Sequence, residues 1–75
     1  MMKETMRENK QEICNSLCAT LQKTRDQRDL LSLTFDEALE TVTAKYADGE
    51  EKEISVWGDS GIALIKDVIE ELVVY

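Results

Sequence analysis

The chain has 75 residues, with 9 Lys and Arg against 16 Asp and Glu, no histidine and a net charge of −7. A chain of this length buries only about 60% of its unfolded surface, so we predict one small domain over residues 1–75. The negative charge disfavours direct binding to nucleic acid or to anionic membranes. Without histidine the chain lacks the commonest general base and metal ligand, and we expect neither enzyme activity nor a cofactor.

The first predicted element is a helix over about residues 3–28. Two capping boxes, Thr5-x-x-Glu8 and Asn9-x-x-Glu12, leave the start of this helix open. Its apolar positions recur with a period of 3.6 residues and form one face, which consists of Met6, Ile13, Cys14, Leu17, Cys18 and Leu21.

The two cysteines, Cys14 and Cys18, lie one helical turn apart on that face. A disulfide between them would strain the helix. A structural zinc site needs about four ligands, and the chain has no histidine and no further cysteine to complete one. We therefore predict two free thiols that pack as small apolar groups in the core, and no bound zinc.

Beyond Asp29 the hydrophobic period changes from 3.6 to two residues. This change predicts three short strands, over about residues 30–35, 40–47 and 50–57. The residues expected to face the core are Leu31, Leu33 and Phe35 in the first strand, Val42, Ala44 and Tyr46 in the second, and Ile54 and Val56 in the third.

Two registers are open for the second hairpin. A two-residue turn at Asp48-Gly49 pairs Val42 with Ser55 and mixes apolar and acidic residues on each face. A three-residue loop, 47–49, pairs Val42 with Ile54 and separates the faces, with glycine in the left-handed conformation of a bulge. We predict the three-residue loop, which also places a cross-strand ion pair between Lys45 and Glu51.

The last predicted element is a helix over about residues 60–73. Gly58-Asp59-Ser60-Gly61 breaks the third strand, and either Asp59 or Ser60 caps the helix. The order α-β-β-β-α predicts an α+β fold, in which an N-terminal and a C-terminal helix cover a three-stranded antiparallel sheet. The apolar stripe of the second helix consists of Ile62, Leu64, Ile65, Val68, Ile69, Leu72 and Val73.

Three short or partial resemblances to known protein classes do not predict an activity for this chain. Gly58-Asp59-Ser60-Gly61 resembles the nucleophile segment of chymotrypsin-like proteases, which need an imidazole base that this chain lacks. It also resembles the GxxG loop of KH modules, but no basic residue flanks it closely. The element order resembles double-stranded-RNA-binding domains, whose second helix begins with phosphate-binding lysines. The matching stretch, 60–67, has only Lys66, beside Asp67.

The acidic residues are unevenly distributed. Residues 1–28 carry a net charge of +2, whereas residues 29–75 carry a net charge of −9. This pattern is typical of a solvated surface, or of a surface that imitates nucleic acid phosphates and occupies a basic groove on a partner. Carboxylates also bind Ca²⁺ or Mg²⁺, but the hairpin lacks the spacing of an EF-hand loop. The acidic candidates for partner binding are Asp48, Glu50, Glu51, Glu53, Asp67, Glu70 and Glu71.

Trp57 completes the candidate surface. In the predicted register it closes the third strand on the outward face, near Leu39 and with Leu30 as a further neighbour. It is either the lid of a small core or an interface anchor, a role that suits tryptophan. The apolar tail 72–75 packs within the chain or contributes to a homodimer. No stretch has the length of a signal peptide or of a membrane span, and we expect a cytoplasmic protein.

Residues 40–49 (ETVTAKYADG) and 59–69 (DSGIALIKDVI) resemble small acidic proteins of bacterial phages and conjugative elements. These include anti-CRISPR inhibitors, some of which have a similar order of helix, three strands and helix and block the DNA-binding groove of a nuclease. The resemblance implies an inhibitor whose partner is a CRISPR nuclease or another nucleic-acid-binding protein. The alternatives are a structural or regulatory homodimer, and a degenerate double-stranded-RNA-binding-like module that binds no RNA.

Overall fold

The computed structural model describes residues 9–73. It confirms the predicted α-β-β-β-α order, and its strands form one antiparallel sheet in the order β1-β2-β3. The sheet is open, so β1 and β3 are its two edges. The elements are α1 (Lys10–Leu21), β1 (Leu30–Asp36), β2 (Thr41–Tyr46), β3 (Glu51–Ser55) and α2 (Gly61–Leu72).

The first helix is shorter than predicted. Asn9 is its N-cap, since the Asn9 Oδ1 accepts a hydrogen bond from the Glu12 N–H at 3.0 Å. The predicted positions 3–8 lie outside the described residues. The predicted extension to residue 28 is wrong, because α1 ends at Leu21 and turns follow. The Thr24 hydroxyl donates to the Leu21 carbonyl at 2.6 Å and accepts from the Gln27 N–H at 3.2 Å, which competes with helical hydrogen bonding.

Gln27 fixes the loop that follows α1. Its side chain is buried, with 7% of the residue exposed. The Nε2 donates to the Leu72 carbonyl at 3.0 Å, and the Oε1 accepts from the Tyr46 hydroxyl at 2.7 Å. A buried amide with both ends bonded satisfies its polar groups. The loop is thereby tied to the end of α2 and to β2.

A bulge at the start of β1 changes which leucine is buried. The pairing with β2 shifts between Leu30 and Ser32, so one extra residue lies on this strand. Leu30 is consequently in the core and Leu31 is 59% exposed. The prediction that Leu31 faces the core is therefore wrong, as is the placement of Leu30 on the outward face beside Trp57. A bulge of one residue exchanges the two faces of a strand.

The hairpin between β2 and β3 has the predicted three-residue loop. Val42 pairs with Ile54, and both are buried. The Tyr46 N–H donates to the Glu50 carbonyl at 2.9 Å, and Gly49 has a φ of +95°, the left-handed conformation that the loop requires. The ion pair predicted across the outer face is present, with 4.0 Å between Lys45 Nζ and Glu51 Oε2. β2 is two residues shorter than predicted and β3 is three residues shorter.

The core lies between one face of the sheet and the two helices. Ser60 is the N-cap of α2, since its hydroxyl accepts from the Ala63 N–H at 3.2 Å. Both cysteines are free and buried, as predicted, and burial raises the pKa of each thiol. The core consists of Cys14, Cys18, Leu21, Leu30, Leu33, Val42, Ala44, Ile54, Val56, Leu64, Val68 and Leu72.

Candidate protein-binding surface

The acidic residues of the hairpin are exposed and are held by a rigid turn. The Asp48 Oδ1 accepts a hydrogen bond from the Glu50 N–H at 2.9 Å, which fixes the loop. Glu51 and Glu53 follow on β3, where they pair with Lys45 and Thr43 on the polar face of the sheet. The four acidic residues are exposed, so the fold places their charge at the solvent side of the hairpin.

The second helix brings two more acidic residues to the same end of the molecule. The Lys52 Nζ of β3 donates to the Glu71 carbonyl at 3.3 Å, so the C-terminal turn of α2 lies beside the start of β3. Glu70 pairs with Lys66 at 3.1 Å, an exposed pair one helical turn apart. Such an exposed pair contributes little to stability, because solvent screens the two charges. We call this region the acidic end; it comprises Asp48, Glu50, Glu51, Glu53, Glu70 and Glu71.

Asp67, by contrast, belongs to a carboxyl pair. It lies on α2 and is partly buried, with a side-chain hydrogen bond to Asp59. The Asp59 Oδ2 is shielded from solvent and accepts no hydrogen bond from an N–H or O–H group of residues 9–73. The hydrogen bond to Asp67 raises the pKa of Asp59, as do desolvation and the charges of Asp67 and Glu40, while Lys10 opposes the shift.

Trp57 lies at the other end of the sheet. Its neighbours along the chain are fixed by Glu40, whose carbonyl accepts from the Val56 N–H and whose Oε1 accepts from the Gly58 N–H, both at 2.9 Å. Trp57 is 75% exposed, so it is not the lid of the core, and its role as an interface anchor stays a prediction.

The eight predicted residues therefore do not form a single patch. The six steps from Glu50 to Val56 span about 20 Å of strand, which separates Trp57 from the acidic end. Two other large apolar residues are exposed near Trp57 in the topology, Leu39 in the β1–β2 turn (62%) and Ile62 in the first turn of α2 (75%). We call Leu39, Trp57 and Ile62 the apolar end.

The helices form an open groove of about 520 Å³. Glu12 is the one ionisable side chain in its lining, which otherwise presents amide, hydroxyl and aliphatic groups. Over residues 9–73, no three His, Cys, Asp or Glu side chains are grouped to hold a metal ion. Neither of the two described helices is long and apolar enough to cross a bilayer. The lining residues are Asn9, Glu12, Ile13, Ser16, Leu17, Thr20 and Ile65.

Comparison of the chain with protein-family models, with curated proteins and with solved structures found no match. The grounds for a function are therefore the fold and the charged surface.

Two features of this surface were not predicted from the sequence. Glu40 has a φ of +51° and joins the first turn to the segment after β3 through its carbonyl and its carboxylate. The Asp59–Asp67 pair links the loop before α2 to the second turn of that helix. Neither has a local sequence signal, since acidic residues in turns and at helix starts are common for unrelated reasons.

Proposed function

We propose that the protein is a non-enzymatic binding module that uses its acidic end to occupy a basic surface of a nucleic-acid-handling protein in the cytoplasm. The observation that carries this proposal is the concentration of six exposed acidic residues on a hairpin and a helix at one end of the molecule. Within residues 9–73 only two ion pairs involve them, Lys45–Glu51 and Lys66–Glu70. Most of this negative charge is thus free to meet a partner.

The spacing of the carboxylates supports the imitation of nucleic acid. Glu51 and Glu53 lie on the same face of β3 and place two negative charges about 7 Å apart along the strand. Each strand of duplex DNA carries one charge per about 3.4 Å of helix axis, so this separation is close to that of alternate phosphates. The outer face of the hairpin therefore presents carboxylates at a spacing that a row of Arg and Lys can contact.

The rigidity of the acidic end favours binding. A flexible acidic tail loses conformational entropy when it binds, whereas these residues are held by paired strands and by a packed helix. Complementary charge mainly raises the association rate and selects against wrong partners. Exposed charge pairs are screened over about 8 Å at physiological ionic strength, so the affinity is expected to fall steeply with added salt.

The resemblance of residues 40–49 and 59–69 to anti-CRISPR-type proteins supports one specific form of the proposal. In that form the partner is an RNA-guided nuclease, and the acidic end occupies the channel that otherwise takes DNA. Such channels are lined with positive charge because they hold nucleic acid by its backbone. An inhibitor of this kind needs no catalytic group, which agrees with the expectation that the protein is not an enzyme.

The test is a displacement measurement. Purified nucleic-acid-binding proteins, RNA-guided nucleases among them, are bound to labelled DNA and titrated with the protein while fluorescence anisotropy is followed. We expect DNA to be released from at least one of these proteins, with less release as salt rises. Retention of DNA by every protein tested at low salt would leave the acidic end as a solvated surface.

A further inference from the structure

The rest of the chain covers the β1 edge of the sheet but not the β3 edge. At the β1 edge, Gln11 of α1 binds the outward backbone groups: its Nε2 donates to the Leu33 carbonyl at 3.1 Å, and its Oε1 accepts from the Phe35 N–H at 2.8 Å. The bulge near Leu30 also distorts this strand. An amide side chain and a bulge are two devices that protect an edge from pairing with another chain.

The β3 edge has no such cover. The Tyr46 N–H donates to the Glu50 carbonyl, and hydrogen-bonded pairs alternate along an antiparallel ladder. The backbone N–H and C=O groups of Glu51, Glu53 and Ser55 therefore point away from β2. No hydrogen bond from a described residue reaches these groups, and all three residues are exposed. The five residues of β3 present about 16 Å of unpaired strand.

The charge beside this edge determines what fits it. Glu53 has no ion pair within residues 9–73, and Glu51 has only the 4.0 Å contact with Lys45. Lys52, the one cation of β3, lies on the helix side, where its Nζ donates to the Glu71 carbonyl. A second copy that paired with β3 about Glu53 would place that glutamate opposite itself, and like charges directly opposite are destabilising. An extended segment with alternating cationic side chains has the opposite charge.

We propose that β3 accepts an extended cationic segment of the partner protein as a fourth strand of the sheet. This inference rests on the proposed function and specifies how the partner engages the acidic end. The backbone of the segment bonds to the outward N–H and C=O groups of β3, which gives affinity, and its Lys or Arg side chains meet Glu51 and Glu53, which gives selectivity.

The test uses a variant that closes the edge without changing charge. Ser55→Pro removes one outward N–H, and proline is tolerated at such positions of an edge strand. Ser55→Ala is the matched control. The probe is a synthetic peptide of alternating Lys and Val, together with the same peptide N-methylated at alternate amides, which keeps the charge but removes the strand-pairing donors. Affinities are measured by NMR titration at low salt, with the amide exchange of Glu51, Glu53 and Ser55 followed in the same samples.

We expect the unmodified peptide to bind wild type and Ser55→Ala equally and to slow exchange of the outward amides. N-methylation and Ser55→Pro should each weaken binding by about threefold to tenfold or more, since a net hydrogen bond contributes about 0.5–1.5 kcal/mol. The N-methylated peptide tests the same point on the wild-type chain, so the result does not depend on the folding of Ser55→Pro.

Three outcomes would overturn strand addition. Equal affinity for both peptides would show that charge alone attracts them, and no binding of either would show that the edge is closed to this segment. Self-association that Ser55→Pro abolishes would show that a second copy takes the edge. None of these outcomes decides the proposed function, because the displacement of DNA from a nucleic-acid-binding protein is measured without the peptide.

Discussion

The Asp59–Asp67 pair is the clearest case of a residue whose environment sets its charge. A shielded carboxylate oxygen without a donor is costly, and the cost falls on the charged form of the acid. Two further charged residues face the pair. Glu40 in the first turn disfavours ionisation of Asp59, and Lys10 of α1 favours it.

We predict that Asp59→Asn stabilises the protein at neutral pH. The pKa of Asp59 is raised in the folded state, chiefly by the hydrogen bond with Asp67. A raised pKa means that the wild-type carboxyl stabilises the fold fully below the unfolded value of about 3.9, and that this contribution is lost as pH rises through the folded pKa. Urea unfolding at several pH values should show the variant more stable at pH 7, with the difference closing towards pH 4.

The control for this prediction is Asp26→Asn, which neutralises an exposed carboxylate in the loop after α1. Its stability should stay parallel to that of the wild type across the same pH range. If the curves of wild type and Asp59→Asn were also parallel, the carboxyl pair would be absent in solution.

Gln27 is a second residue that decides local structure. We predict that Gln27→Ala destabilises the fold by about 1–3 kcal/mol, because it leaves the buried carbonyl of Leu72 without its donor. Tyr46→Phe leaves the Gln27 Oε1 without its donor, but this bond is only partly buried, so the loss should be smaller, about 0.5–1.5 kcal/mol. Denaturant unfolding of both variants measures the difference, and equal small losses would show that Gln27 does not tie the loop to α2.

At the scale of elements, the strands show what a sequence pattern can and cannot determine. The register of β2 and β3 was predictable because Val42 and Ile54 must share a face and Gly49 permits the left-handed turn. The start of β1 was not predictable, since the adjacent residues Leu30 and Leu31 both suit a core position. The register shift between Leu30 and Ser32 places Leu30 in the core, and the Gln22 Nε2 donates to its carbonyl at 2.7 Å.

The end of α1 was mispredicted for a related reason. Residues 22–29 contain no proline or glycine, so the pattern offers no stop signal. The turn is instead formed by side-chain bonds of Thr24 and Gln27 whose partners, Leu21, Tyr46 and Leu72, are supplied by the folded chain. The sequence of residues 22–29 does not indicate that Thr24 and Gln27 have such partners.

The hairpin loop gives a prediction at this scale. Gly49→Ala should destabilise the protein by about 1–2 kcal/mol, because a Cβ is disfavoured at positive φ. No atom lies within 4 Å of the added Cβ, so the loss reflects backbone conformation and not a clash. Gly49→Asn should lose less, since asparagine tolerates this conformation. Thermal or urea unfolding that ranks Asn below Ala would contradict the left-handed loop.

At the scale of the molecule, the acidic end and the apolar end occupy opposite ends of the sheet, while Asp36 and Glu37 share the β1–β2 turn with Leu39 and Leu31 is exposed at the start of β1. The excess of acidic residues after residue 28 was visible in the sequence, and so were the individual candidates. The division of these candidates between two ends of the molecule was not visible in the sequence. It depends on α2 running back beside β3, where Lys52 donates to the Glu71 carbonyl. The site was thus predictable in composition but not in arrangement.

The apolar end bears on the alternative hypothesis of a homodimer. Within residues 9–73 the large exposed apolar residues are Leu31, Leu39, Trp57 and Ile62, which are few beside the 20–30 residues that each partner contributes to a standard interface, about 800 Å² a side. Residues 74–75 of the predicted apolar tail lie outside the described residues. We therefore predict a monomer by light scattering across the micromolar range. A dimer that Trp57→Ser dissociates would favour the alternative.

The affinity of a partner identified by DNA displacement tests the central claim most directly, when it is measured for three proteins at about 50 mM and about 200 mM salt. These are wild type, Glu50→Lys/Glu53→Lys at the acidic end, and Glu12→Lys/Glu37→Lys, which makes the same charge change at exposed positions elsewhere. We predict that wild type and the control bind alike and weaken with salt, while the acidic-end variant binds far more weakly at both concentrations. Equal affinity of all three proteins, unchanged by salt, would contradict the claim.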